Sequence, residues 1–352
     1  MKKTNPTILA IESSCDEMAA SVFCGNQIRS SIVATQHIHK KHGGVVPELA
    51  SRMHQQKVVD VVDKALVKAE VTKNTLDAVA FTQGPGLLGP LLVGNCFAKS
   101  LAYGLDLPLI GINHIRAHVL ANFIENTPSF PFICLSASGG HTQLILVNDF
   151  FDMTIMGETQ DDAVGEAFDK IGKMLGLEYP AGVLIDKNSQ NGDPKRFKFP
   201  STVMPGLDFS FSGIKTAFMN FLKKHQTTDP DFAINNMSDI CASIQYTLVE
   251  MLMIKLKKAI SSTGVSNVAL AGGVAANSYL RQQLNLLSQN QNLQIFIPSL
   301  QYCTDNAAMI AITAYYQYIA DVGLCNFDAC PQPRMSLKIQ TAILEGWDSV
   351  KK

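Results

Sequence analysis

The sequence has no long apolar run, no paired cysteines and almost no net charge, and each shortage removes a class of protein. No apolar stretch nears the roughly 20 residues that span a bilayer, so no membrane association is expected. The eight cysteines (15, 24, 96, 134, 241, 303, 325 and 330) include no C-x-x-C pair. Several sit in strand-like contexts such as PFICLSA, so reduced, buried thiols are expected rather than a disulfide framework. Formal net charge is −1. Bulk charge therefore offers nucleic acid no attraction, and any such contact needs a local patch or a companion subunit. Hydrophobic residues at 47% and charged residues at 17% describe a compact soluble chain without a low-complexity tract. The start, MKKTNPTILAIESSCDE, has two lysines but only four consecutive apolar residues before polar ones. It resembles neither a signal peptide nor an arginine-rich transit peptide, so a cytoplasmic location is expected.

At 352 residues the chain is too long for one ordinary core, which predicts two domains. The apolar periodicity shows a recurring plan. TILAIESSCDEMAASVF reads as strand, polar turn and strand, and PFICLSASGGHTQLILV repeats that plan. LDAVAFTQGPGLLGPLLVGNCFAKSLA reads as strand, glycine turn and helix, and VSNVALAGGVAANSYLRQQL repeats it in turn. This order predicts a duplicated α/β fold of the actin/Hsp70/sugar-kinase (ASKHA) kind, with a nucleotide cleft between its halves. Two unrelated α/β domains are the plainer alternative. The expected boundaries are 1–130, 131–335 and a tail at 336–352, with the helix after Asp305 returning toward the first domain.

Several stretches carry candidate chemistry. NHIRAHVLAN places His114 and His118 four residues apart, one turn of one helix face, as metal ligands or merely as neighbours. SASGGHT offers Gly139 and Gly140, whose missing Cβ lets backbone N–H groups approach a phosphate, or which serve a tight turn of positive φ. LAGGVAANS ends a strand in Gly272-Gly273, with Asn277 in the first helical turns beyond. Asp162, Glu166 and Asp169 fall on one helical face, as a solvated stripe or as ribose-binding carboxylates. Asp305 stands at the start of an apolar helix, where N-capping is the commonest role. QHIHKKHGG is the one locally basic run of note, a solvated loop or part of a nucleic-acid contact.

Taken together, ESSCDE, GGVVPELASRMH, GPGLLG, NHIRAH, SASGGHTQL, GEAFDKIGKMLGL, FSFSGIKTA, AGGVAANSYLR and CTDNAAMIA resemble the tRNA threonylcarbamoyltransferase family, formerly described as O-sialoglycoprotein endopeptidases. They occur in the family's order and fall within residues 8 to 313. The resemblance implies transfer of threonylcarbamoyl from L-threonylcarbamoyladenylate to N6 of the adenosine immediately 3′ of the anticodon. The tRNAs are those reading codons that begin with A, and AMP is released. It matches the family's metal ligands to His114, His118 and Asp305, a two-histidine, one-carboxylate set suited to one Fe²⁺, or to Zn²⁺. It matches the adenylate-binding positions to Ala137, Ser138, Gly139, Gly140, His141, Asp169, Gly182, Asp186 and Asn277. Three departures are visible: Ala181-Gly182-Val183 stands for Gly-Gly-Pro, Pro90 for a small residue, and Ala307 for glycine. None removes a ligand.

The backbone N–H groups of Ser138 to His141 would hold the phosphate, and Asp16 or Glu17 would accept the N6 proton or orient the base, unless both merely form the turn. A zinc protease would need H-E-x-x-H, and Ile115 follows His114 here. A degenerate scaffold paralogue would lack the ligands. An ATP-hydrolysing enzyme of the same fold would turn over ATP. Bacterial members further imply two partners beside tRNA: a catalytically inactive paralogue (TsaB-like) and a small P-loop ATPase (TsaE-like).

Overall fold

The computed structural model describes residues 3–202 and 204–337. In chain order its strands are β1 (Ile8–Glu12), β2 (Met18–Cys24), β3 (Gln27–Ala34), β4 (Ala78–Gly84), β5 (Leu109–Asn113), β6 (Phe132–Ala137), β7 (Thr142–Val147), β8 (Met153–Glu158), β9 (Asn267–Ala271), β10 (Gln294–Phe296) and β11 (Leu324–Cys325). They form two sheets, ordered β11-β5-β4-β1-β2-β3 and β10-β9-β6-β7-β8.

The duplication expected from the sequence is visible in that order. In the first sheet β1 pairs antiparallel with β2 and parallel with β4, and β4 pairs parallel with β5. In the second, β6 pairs antiparallel with β7 and parallel with β9, and β9 pairs parallel with β10. Five strands therefore follow one topology twice, and β11 is an added antiparallel edge on β5.

The chain forms two compact units. One comprises the described residues of Met1–Thr127, Phe150–Met153 and Pro298–Lys352; the other comprises those of Pro128–Asp149 and Thr154–Ile297. The observed division departs from cuts at 130 and 335, because residues 298–337 belong to the first unit. The reason is apolar burial. Leu9, Ile11, Met18 and Val22 pack against the helices Pro47–Ala69 and Leu88–Leu105 on one face of the first sheet. The alternate residues Ile8 and Ala10, with Ile110 and Ile112, need cover on the other face. Met309, Ile310 and Ala311 of the helix Ala307–Ala320 supply it. A strand buried on both faces reads as a continuous apolar run, as β1 does. Residues 338–352 of the expected tail lie outside the described residues.

All eight cysteines are free, as expected, but only Cys134, Cys241 and Cys303 are buried, while Cys96 and Cys330 are exposed. Among the described residues no helix is long and apolar enough to cross a membrane.

Candidate functional site

The first unit brings His114, His118 and Asp305 together. Strand β5 runs straight into the helix His114–Leu120, whose N-cap Asn113 accepts a hydrogen bond from the Arg116 amide at 3.0 Å. His114 thus opens the helix, and His118 stands one turn later on the same face. Asp305 arrives from the loop before Ala307–Ala320. The N-cap there is Asn306, which accepts from the Met309 amide at 3.0 Å. The capping role is therefore taken by its neighbour, and the Asp305 carboxylate turns to the histidines. All three residues come from one unit, not from two domains.

Their donor atoms form a small triangle. His118 Nε2 lies 3.2 Å from His114 Nε2 and 3.0 Å from Asp305 Oδ1, and His114 Nε2 lies 3.5 Å from the same oxygen. Donors about 2.1 Å from a common ion stand roughly 3.0–3.4 Å apart at angles between octahedral and tetrahedral. The triangle fits that spacing, and it leaves one side of any bound ion open. Two imidazole Nε2 atoms facing one carboxylate oxygen are also what a cation would reconcile. The residues present therefore fit one divalent metal.

Glu12, at the end of β1, braces the cluster. Its Oε2 accepts from Thr82 Oγ1 at 2.6 Å and lies 3.1 Å from His114 Nδ1, while its Oε1 accepts from the Ser14 amide at 2.5 Å. A carboxylate behind a ligating histidine fixes its tautomer and raises its basicity. Burial alone would raise the fully buried Glu12 carboxyl, but the charge and hydrogen bond of His114 hold it below its usual value. Burial likewise opposes the charged form of His114, yet Glu12 and Asp305 overcome it and push the imidazole up to about 9. Among the described residues His118 has no such brace: its Nδ1 is buried without a hydrogen-bond partner.

The β1–β2 turn carries Asp16 and Glu17 in the same unit. Burial, then the negative charges of Asp16, Asp305 and Glu12, push Glu17 up to about 9. Near neutrality it keeps its proton, so of the two it is the poorer acceptor.

The second unit gathers the other candidate positions. The β6–β7 turn packs against the start of the helix Val164–Met174, where the Gly165 amide donates to the Ser138 carbonyl at 3.2 Å. Neither Gly139 nor Gly140 has positive φ, and a Cβ on either would meet open space. The turn conformation thus does not itself demand glycine, contrary to that reading. The amides expected to hold a phosphate are not idle either: Gly140 and His141 donate to Ser138 Oγ at 3.3 and 3.1 Å. An incoming anion would displace that hydroxyl.

Asp169 accepts from the Ala181 amide at 2.7 Å, at the start of the helix Ala181–Ser189. Ala181-Gly182-Val183 is therefore a helical first turn, and Val183 faces solvent. Asp186 accepts from Ser278 Oγ and its amide at 2.6 and 3.1 Å. Asn277 is the N-cap of Ser278–Gln291 rather than a residue within it, accepting from the Leu280 amide at 2.9 Å. Asp162 precedes its helix and, with Glu166, pairs with Lys170 at 2.7 and 2.8 Å. Asp169 is the member of that trio bonded to the next helix, through the Ala181 amide. In QHIHKKHGG, His39 is buried and bonded to Gln36 at 2.9 Å.

Sequence reasoning missed Glu12, Ser14 and Thr82. The available signal was a glutamate closing an otherwise wholly apolar buried strand.

The family model for TsaD, tRNA N6-adenosine threonylcarbamoyltransferase, matches residues 27–312. The chain is 54% identical over 332 residues to the tRNA N6-adenosine threonylcarbamoyltransferase of Cytophaga hutchinsonii, covering 94% of this chain and 96% of that one. It is 57% identical over 316 residues to the protein of that name from Christiangramia forsetii, covering 89% and 93%. Among solved structures it resembles full-length HypF in its phosphate- and nucleotide-bound form. The TM-score is 0.60 at 13% identity, covering 90% of this chain and 47% of that one, a likeness of fold alone. With its ligand triangle and duplicated α/β topology in place, this chain belongs to the tRNA N6-adenosine threonylcarbamoyltransferase family.

Proposed function

We propose that this member transfers threonylcarbamoyl from L-threonylcarbamoyladenylate to N6 of the adenosine immediately 3′ of the anticodon, in tRNAs reading codons that begin with A. N6 attacks the carbamoyl carbonyl carbon, the new C–N bond replaces the C–O bond to phosphate, and AMP leaves. The observation that carries this reading is the triangle of His114, His118 and Asp305, braced by Glu12.

Adenine N6 is a weak nucleophile, since its lone pair is delocalised into the ring. A divalent ion held by the three ligands, Fe²⁺ or Zn²⁺, would supply Lewis-acid polarisation of the acyl-phosphate oxygens. Glu12 holds His114 in the tautomer that presents Nε2. Ser138, Gly139, Gly140 and His141 hold the adenylate phosphate, with the Gly140 and His141 amides exchanging Ser138 Oγ for the anion. Asp169, Gly182, Asp186 and Asn277 line the nucleoside position, flanked by Ala137. Asp16, rather than Glu17, takes the N6 proton. The chain acts in the cytoplasm with tRNA, a TsaB-like inactive paralogue and a TsaE-like P-loop ATPase.

The test is transfer from preformed L-threonylcarbamoyladenylate to tRNA by anaerobically purified protein with its partner subunits, beside a His114→Ala/His118→Ala variant. Stoichiometric metal and transfer in the native chain, both lost in the variant, are expected. Bound metal with no transfer, partners present, would sink the reaction assigned here.

A further inference from the structure

The near-zero net charge conceals a segregation along the chain. Residues 149–186 carry nine Asp or Glu against two Lys, whereas residues 187–226 carry seven Lys or Arg against two Asp. The basic stretch folds as one surface of the second unit. Phe197 packs on Phe221 of the helix Ser212–Gln226 with ring centroids 5.1 Å apart, and Phe199 packs on Phe218 at 5.7 Å. These rings anchor the loop, and Lys195 and Lys198 beside them remain exposed. On the helix Ile214, Phe218 and Leu222 are buried. Lys215, Met219 and Lys223 therefore form an i, i+4, i+8 stripe on the outer face, with Lys224 alongside. From Lys215 to Lys223 the stripe is about 12 Å long, and Lys224 stands about 100° round the helix from Lys223, one turn on from Phe221.

The charges on this surface are largely uncommitted. Arg196 pairs with Asp239 at 3.0 Å. Among the described residues none of the five lysines forms an ion pair. The nearby acids are few: Asp193 accepts from the Lys195 backbone amide at 2.9 Å, and Asp229 and Asp231 follow the helix.

The helix is also bolted to the candidate adenylate positions of the same unit. Asp161 accepts from Ser210 Oγ and Ser212 Oγ at 2.5 and 2.6 Å and from the Phe211 amide at 2.7 Å. That turn leads directly into Val164–Met174, which carries Asp169.

We infer that Lys195, Lys198, Lys215, Lys223 and Lys224 form a patch that grips the phosphate backbone of the tRNA substrate. The inference rests on tRNA being the acceptor in this family. Flexible ammonium groups suit sequence-independent phosphate contacts, which position an RNA without reading it. A local patch of this kind also answers how a chain of net charge −1 approaches a polyanion.

The test compares Lys215→Gln/Lys223→Gln/Lys224→Gln with a control carrying Lys57→Gln/Lys68→Gln/Lys73→Gln, both in the full chain with its partners. The readouts are tRNA Kd across a salt series, KM for tRNA, and affinity for L-threonylcarbamoyladenylate. Each lost phosphate contact lowers the slope of log affinity against log salt by about 0.7–0.9, so the patch variant should lose about 2–3. Its Kd and KM should rise at least about tenfold near physiological salt, with kcat and adenylate affinity kept and the control unchanged. An unaltered slope, an equal loss in the control, or no tRNA binding by the native chain would overturn the patch. Native tRNA binding with the expected slope change but no transfer would instead refute the assigned reaction and leave the patch standing.

Discussion

Replacing Glu12 with Gln tests the brace behind the proposed metal ligands, and its effect follows from the donors that converge on that side chain. Glu12 receives the Ser14 amide on one oxygen, and the Thr82 hydroxyl and His114 Nδ1 on the other. Glutamine keeps the shape but offers one oxygen and one NH₂. In either amide orientation a donor faces a donor, the Ser14 N–H or the His114 N–H. A buried hydrogen bond to a charged acceptor contributes roughly 1.5–3 kcal/mol. Losing the partner of a ligating histidine typically weakens metal binding about 10–100-fold, or about 1.4–2.7 kcal/mol. The two ranges agree, so Glu12→Gln should bind metal at least about tenfold more weakly while remaining folded. Competition against a chromophoric chelator at fixed pH, with circular dichroism as the folding check, measures it. A folded Glu12→Gln with native metal affinity would refute the bracing role and the three-ligand site built on it.

Asn306→Ala removes the cap that frees Asp305, and should cost about 1 kcal/mol of stability together with a measurable loss of metal affinity by the same competition. Gly272→Ala places a methyl where φ is +84° and against the Ala137 carbonyl. It should destabilise the chain by more than about 1 kcal/mol in chemical denaturation and weaken adenylate binding in calorimetry. Glu17→Gln tests the raised carboxyl. The folded chain holds the Glu17 proton up to about pH 9, whereas the unfolded chain releases it near pH 4.5, so this group erodes stability as pH rises between those values. Glutamine removes that dependence. The metal-free variant should match the native chain near pH 4.5 and gain up to about 1.4 kcal/mol per pH unit above it; parallel denaturation curves at pH 5 and pH 8 would contradict the shift.

What the sequence by itself determined was whatever local order encodes. Period-two and period-3.6 apolar patterns set out the two hairpins, the two strand–glycine–helix units and the helix beginning at Pro47, because side-chain direction there depends only on neighbouring residues. The i, i+4 spacing of His114 and His118 belongs to the same class. Tertiary structure alone decided which distant groups meet. It brought Glu12 behind His114, 102 residues away, and gave the capping of the last long helix to Asn306 so that Asp305 could turn to the histidines. It extended the expected return of the helix after Asp305 to all of residues 298–337, since one face of that sheet needed the apolar cover that Ala307–Ala320 supplies together with Ala117 and Ala121. It left five lysines of the basic stretch without ion pairs among the described residues, whereas the Glu166–Lys170 pair, one helical turn apart, is local. Hydrogen bonds, ion pairs and buried area are properties of spatial neighbours, and for Glu12 with His114 and for Asp305 with His118 those neighbours lie more than a hundred residues apart in the chain.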